Sequence, residues 1–240
     1  MRLLDEISGL LARIDSGENF TFVRYGDGEV MLMSGTQVGP GTQAGTVDKW
    51  TSPGHQTLLG RDMRVMLSHP EWIYGIPCSC CNDPLKHRIM CMIPDIPATQ
   101  VTFANMFVNA AYPVFEQWVS TIKRSVVLIT NEDGKGRPYP FEHKAHMLLP
   151  DDCVNVWEDD VHRTSLITEA QQLAQANDNT LFLFSGGPLK VLIHYMYEAN
   201  PNNAYIDVGS AIDKWAHGGF TRPYHNRNNN SPYTNRNCVF

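Results

Sequence analysis

No apolar run in the 240 residues approaches the length of a membrane span. The opening residues, Met1-Arg2-Leu3-Leu4-Asp5-Glu6, lack the apolar core and small-residue cleavage site of a secretory leader, so a cytoplasmic protein is expected. Positive charge is scarce. With 19 Lys and Arg against 25 Asp and Glu, the net charge of −6 offers no general basic footprint for nucleic acid or an anionic membrane surface. Any anionic ligand must be met by locally placed groups. Two C-x-x-C pairs are also missing: Cys78, Cys80 and Cys81 crowd together as C-x-C-C, Cys91 follows, and Cys153 and Cys238 are remote. That spacing argues against zinc and for buried thiols in a reducing compartment. No internal repeat or domain boundary appears, and a hydrophobic content of 42% is enough for a substantial core. One domain over residues 1–225, followed by an irregular tail over 226–240 that drapes rather than packs, is the expectation.

What is present begins with Phe20-Thr21-Phe22-Val23-Arg24-Tyr25-Gly26-Asp27-Gly28-Glu29. Its alternation fits a short buried strand that the two glycines break. Ligands of open α/β sheets sit at the carboxyl ends of strands, and glycine there permits close backbone approach. Read as an extended, exposed loop, the segment turns Asp27 and Glu29 to one side, where both carboxylates can meet one hard cation. Arg24 stands just upstream as a phosphate fork. A solvated Asp-Gly turn explains the same ten residues equally well.

Leucine and isoleucine at helical spacing predict a helix over residues 3–14. Residues 34–55, rich in Gly, Thr, Gln and Pro, predict a long loop over a site. A helix over 56–68, a strand at 72–76, a helix from Pro84 to about Met92, a strand at 101–104 and a helix over 114–122 follow. Residues 125–130 form a near-continuous apolar run of the kind covered on both faces, which predicts a mostly parallel sheet with helices on both sides. The loop 131–140, with Gly134, Lys135, Gly136 and Arg137, reads as an anion site or a solvated turn. Alternation at Cys153-Val154-Asn155-Val156-Trp157 predicts a strand, with Glu158, Asp159 and Asp160 at its exit, and Thr164 or Ser165 caps a following helix to about Ala176.

A second strong signal is Leu181-Phe182-Leu183-Phe184-Ser185-Gly186-Gly187-Pro188, a fully apolar strand passing through two glycines into a helix with proline in its first turn. Exposed amides at such a junction suit phosphate. It lacks both G-x-G-x-x-G and the G-K-[ST] of a P-loop, so it names no cofactor. The last strand, 204–208, again carries an acid, Asp207, near its carboxyl end, with Ser210 and Asp213 beyond.

Strand-R-Y-G-D-G-E at 24–29, S-G-G-P at 185–188, I-D-V-G-S-A-I-D at 206–213 and F-T-R-P-Y-H at 220–225 together resemble the GT-D-type glycosyltransferases, nucleotide-sugar-dependent enzymes on a Rossmann-like sheet. The resemblance places the family's D-x-E motif at Asp27-Gly28-Glu29. It implies transfer from a nucleotide diphosphate sugar, a UDP-sugar first among them, to a glycan or glycosylated acceptor, with no nucleic acid or membrane span and homo-oligomerisation open. Mn²⁺ or Mg²⁺ is the implied cofactor, with Asp27 and Glu29 as ligands and catalytic residues. Arg24, Gly26, Gly28, Gly186 and Gly187 would then face the donor phosphates. Asp207 and Ser210 would bind ribose or sugar hydroxyls, and Arg222 would clamp the diphosphate with Tyr224 and His225 beside it. Asp213, His217 and Glu158 are all candidates for the base on the acceptor hydroxyl. An S-adenosylmethionine-dependent methyltransferase and a non-catalytic nucleotide- or carbohydrate-binding module are the competing readings.

Overall fold

Strands with apolar side chains pointing both ways need cover on both faces of their sheet. The computed structural model of the protein, which describes residues 2–37, 54–93, 96–226 and 237–240, provides it. Strands β1 (Thr21–Arg24), β2 (Ile73–Ile76), β3 (Val101–Phe103), β4 (Val126–Asn131), β5 (Ala145–Leu149), β6 (Leu181–Ser185) and β7 (Ala204–Asp207) form one sheet in the order β3-β2-β1-β7-β6-β4-β5. Every pairing is parallel. The fold is therefore α/β and Rossmann-like.

Alternation along each strand sorts the core into two halves. Phe22, Leu128, Leu183 and Ile206 pack against α1 (Leu3–Asp15) and α5 (Tyr112–Val119) on one face. Val23, Ile129, Phe184 and Tyr205 pack on the other against α2 (Asp27–Met33), α3 (Leu58–Val65), α6 (Cys153–Glu158), α7 (Asp160–Gln175) and α8 (Leu192–Ala199). Helix α4 (Ser79–Met90) is broken at Asn82, just before Pro84, and the short α9 (Asp213–Ala216) follows β7. No helix among the described residues is long and apolar enough to cross a membrane.

Two expectations fail between β4 and α7. The segment 153–157 is helix α6 rather than a strand: Cys153, Val154 and Trp157 are buried at a helical i, i+1, i+4 spacing while Asn155 is exposed. The seventh strand is instead β5, at the sheet edge beside β4. Its sequence, Ala-His-Met-Leu-Leu, has no β-branched residue and is only partly buried, so it carries little strand signal. Helix α7 starts earlier than Thr164, because the Asp159 carboxylate accepts the amides of Val161 at 3.0 Å and His162 at 2.9 Å. The acids expected at a strand exit are therefore a helix cap and its neighbours.

Residues 38–53 of the predicted 34–55 loop lie outside the described residues. Of the predicted tail, Cys238 is buried, Val239 bridges antiparallel to Arg2, and the Phe240 ring meets the Phe103 ring edge-on with centroids 5.3 Å apart. Those last residues pack rather than drape.

Trp157 is fully buried, and its indole N–H donates to Asp62 Oδ2 at 2.9 Å. Trp157→Ala is expected to cost about 3–5 kcal/mol in urea unfolding, on the scale of a large core truncation. A loss below about 1 kcal/mol, no more than an ordinary surface substitution, would contradict the packing of α6 under α3.

Candidate active site

Strand β1 sends the chain outward to β2, whereas its other neighbour, β7, is the last strand of the sheet. Their exit loops diverge and leave a crevice at the carboxyl edge, the position where open α/β sheets bind ligands. A cleft of about 530 Å³ opens there, walled by the exits of β1, β4, β5, β6 and β7.

The floor of the cleft is a buried ion cluster centred on Lys190, which is 1% exposed. Its ammonium donates to Glu29 Oε1 at 2.8 Å, to Asp207 Oδ2 at 2.5 Å and to the Arg24 carbonyl at 2.7 Å. The remaining carboxylate oxygens are also engaged: Glu29 Oε2 accepts the Gly26 amide at 3.0 Å, and Asp207 Oδ1 accepts the Gly209 amide at 3.0 Å. Asp207 Oδ2 additionally takes the Arg24 amide at 3.1 Å. Burial opposes the charge on Glu29, but Lys190 and Arg24 outweigh it and hold the carboxyl below its ordinary range. The three exits that carry these groups are locked together.

Asp27 and Glu29 do not share an extended loop. Gly26 precedes helix α2, and Asp27 and Glu29 fall in its first turn, about 200° apart around the axis. Asp27 is exposed at the cleft with the Gly28 amide on its Oδ1 at 3.0 Å, while Glu29 turns inward to Lys190. Gly28 is buried within α2 and does not line the cleft, whereas Gly26 does. Gly186 and Gly187 also line it, entering a 3-10 turn, Gly187–Val191, with Pro188 in its first turn and Gly187 at a φ of 53°. That left-handed backbone explains the glycine.

Arg24 lies across Gly209, donates to the Val208 carbonyl at 3.3 Å and faces the cleft. A Cβ at position 209 would collide with the guanidinium. Its Nε is buried with no hydrogen-bond partner among the described residues. Arg222 lines the opposite rim with its Nε 3.4 Å from Asp213 Oδ2, and Asp213 lines the cleft as well.

Five more of the residues singled out in the sequence lie elsewhere or are otherwise occupied. Asp207 is beneath the floor, with both oxygens taken, so it cannot reach a ribose. Ser210 borders the cleft, but its hydroxyl is bonded to the Tyr224 hydroxyl at 2.6 Å, and Tyr224 itself is buried. His225 is buried, and burial, aided by Arg222 and Lys214, pushes its imidazole down to about 4, so it is neutral and no anion clamp. Glu158 caps α3 by accepting the Leu58 amide at 2.5 Å, away from the cleft.

Of the three candidates for a base, His217 stands out. It lines the cleft, and its Nδ1 is 2.9 Å from Asp133 Oδ2. An ionised carboxylate only accepts, so Nδ1 carries the proton and Nε2 is left as the acceptor. Asp133 belongs to the loop 131–140, whose basic residues are not what the site uses. Asn131 and Asp151, joined at 3.0 Å, complete the wall at the β4 and β5 exits. Lys190, Asp133, Asn131 and Asp151 escaped the sequence reading. Only Lys190 had a usable signal, as a lone cation in the apolar run Pro188-Leu189-Lys190-Val191-Leu192-Ile193.

Removing the ammonium leaves two carboxylates without their partner, so Lys190→Met is expected to cost about 3–5 kcal/mol in denaturant unfolding. Glu29→Gln is destabilising at neutral pH too, contrary to an exposed acid. Because the folded Glu29 carboxyl is held below its ordinary value of 4.5, its contribution is full above that pH and fades as pH falls through the folded value. The stability gap between wild type and Glu29→Gln should therefore close in acid. A gap that is flat with pH would remove the ion pair from the account.

No family model matches the chain, and no curated protein matches it. Solved structures do. One is a selenomethionine-substituted structure of domain of unknown function 1792 (DUF1792), with a TM-score of 0.56 and 17% identity over 89% of this chain and 81% of that one. Another is described as the highly conserved domain of unknown function 1792 with a distinct glycosyltransferase fold, with a TM-score of 0.52 and 17% identity over the same shares. A third, described as a new glycosyltransferase (DUF1792) from Streptococcus sanguinis, has a TM-score of 0.55 and 16% identity over 90% of this chain and 85% of that one. At this identity the likeness is one of fold.

Proposed function

We propose that the protein is a glycosyltransferase that moves a sugar from a nucleotide diphosphate sugar, with UDP-sugars the first donors to test, to a hydroxyl of a glycan or glycosylated acceptor. The observation that carries this reading is the meeting, on one cleft, of two arginines, an exposed carboxylate and a carboxylate-oriented histidine: Arg24, Arg222, Asp27 and His217. The fold shared with structures described as glycosyltransferases supports it.

Glycosyl transfer places growing negative charge on the leaving diphosphate and frees a proton from the acceptor. Arg24 and Arg222 supply forked donors for the phosphate oxygens, and the Gly186-Gly187 turn lets backbone approach them. The acceptor oxygen attacks the anomeric carbon as the bond from that carbon to the diphosphate oxygen breaks. His217 Nε2 takes the acceptor proton, and Asp133 holds the ring and stabilises the imidazolium. A direct displacement of this kind inverts the anomeric configuration.

The Mn²⁺ or Mg²⁺ ion expected at Asp27-Gly28-Glu29 fits Asp27 and not the pair, because both Glu29 oxygens are held by Lys190 and the Gly26 amide. Bound by Asp27 together with the donor phosphates, such an ion would neutralise charge on the diphosphate. Glu29 is a positioning residue, fixing the first turn of α2 on which Asp27 stands. A methyltransferase has less use for two arginines at the cleft, since its cofactor is a sulfonium cation.

Incubation with a panel of nucleotide sugars and Mn²⁺ should release free nucleoside diphosphate in the presence of an acceptor. Asp27→Asn is expected to lower turnover by about two orders of magnitude with unchanged thermal stability. His217→Gln should lower kcat by about 10²–10⁴-fold while donor affinity, read by calorimetry, is retained. Full turnover in both variants, or binding of S-adenosylmethionine in place of nucleotide sugars, would overturn the proposal.

A further inference from the structure

The cysteine spacing spoke against zinc because Cys238 is 157 residues beyond Cys81. Folding removes that distance. After β2 the chain passes Pro77 into a single tight turn, in which the amides of Cys81 and Asn82 both donate to the Cys78 carbonyl, at 3.1 and 3.0 Å. The turn curls three thiols toward one point, and the helix breaks at Asn82 immediately after them. Cys238 arrives from the far end of the described chain, with its carbonyl accepting the Leu3 amide at 3.0 Å.

The sulfurs of Cys78 and Cys80 are 3.0 Å apart, those of Cys80 and Cys81 4.0 Å, and those of Cys81 and Cys238 3.5 Å. All four lie within 4.8 Å of one another, and none of the six cysteines is in a disulfide. A tetrahedral ion with metal–sulfur bonds of about 2.3 Å separates its thiolates by about 3.8 Å, within the spread seen here. An iron–sulfur cluster places several iron and sulfide atoms between its thiolates and needs them farther apart. The donors are uniformly soft, which excludes Mg²⁺ and Ca²⁺ and leaves no coordination position for a substrate.

The surroundings match a thiolate site as well. Asn105 donates its side-chain N–H to Cys238 Sγ at 3.5 Å, and the Val239 amide donates to the Cys80 sulfur. Such N–H···S contacts orient and stabilise metal-bound thiolates. Cys78 and Cys238 are buried while Cys80 and Cys81 are exposed, which gives an ion a way in.

We propose that Cys78, Cys80, Cys81 and Cys238 bind one zinc ion as a closed structural tetrathiolate. Binding replaces four S–H bonds by four Zn–S bonds, releases four protons and involves no change of oxidation state. The ion fastens residues 237–240 to the exits of β2 and β3, and through the Arg2–Val239 bridge to the start of α1. It is separate from the cation considered at Asp27.

The test uses the full chain purified under reducing conditions without chelator. Elemental analysis should find one zinc per chain, and replacement by cobalt(II) should give the intense visible absorption of tetrahedral tetrathiolate cobalt. Cys238→Ser and Cys80→Ser should each lose that spectrum, Cys91→Ser should keep it, and Asn105→Ala should weaken metal affinity about 10- to 100-fold. Stripping the metal should lower the thermal midpoint of the wild type and not of Cys238→Ser. A wild-type chain without zinc, a non-reduced mass lighter by two hydrogens with the cluster thiols oxidised, or a cobalt spectrum without thiolate character would each overturn the assignment. The last would point to the other close donor group among the described residues, His69, His194 and Glu198.

Discussion

A single ammonium group in the low-dielectric interior holds the working edge of this sheet together. Lys190 comes from the turn after β6, Glu29 from the helix after β1 and Asp207 from the end of β7. Any one of the three charges alone would be costly to bury, and together they compensate one another through short, well-directed hydrogen bonds. The exit loops of three neighbouring strands are thus fixed relative to one another by this ion cluster. Arg24 and Asp27, placed on those loops, inherit their positions from it.

The same cluster explains why one acid of the Asp27-Gly28-Glu29 pair faces outward and the other inward. A helical first turn sends positions two apart to opposite sides, and the inward one is useful only if a cation waits there. Polar residues lining the cleft are accordingly of two kinds. Glu29 and Lys190 are consumed by architecture, while Arg24, Asp27, Asp213, His217 and Arg222 border open space.

The strands whose residues alternate between two buried faces are legible in the sequence, because β1, β4, β6 and β7 carry apolar side chains on both sides and end in glycine or polar residues. Strand β5 is not legible, because an edge strand built from Ala, His, Met and Leu needs no strong strand pattern, and neither is α6, where five residues fit either periodicity. At the site, Asp27, Arg24, Gly186, Gly187 and Arg222 were legible as charged or glycine residues at strand exits. Lys190 was not, since its role depends on two partners far away in the chain, and the orientation of His217 by Asp133 spans 84 residues. Cys238 met its three partners for the same reason: tertiary contact, not spacing, sets the distance.

Depth also divides the charges of the cleft by their response to ions in solution. Lys190 and Asp207 keep only 1% of their side-chain surface exposed, whereas the His217–Asp133 and Arg222–Asp213 pairs keep between 12% and 38%. Mobile ions screen charges they can approach, over about 10 Å at 0.1 M, and do little to charges they cannot. Raising ionic strength therefore loosens the rim, where an anionic ligand and an acceptor would be gripped, and leaves the floor intact, so the molecule meets saline surroundings with a softened mouth on an unchanged frame.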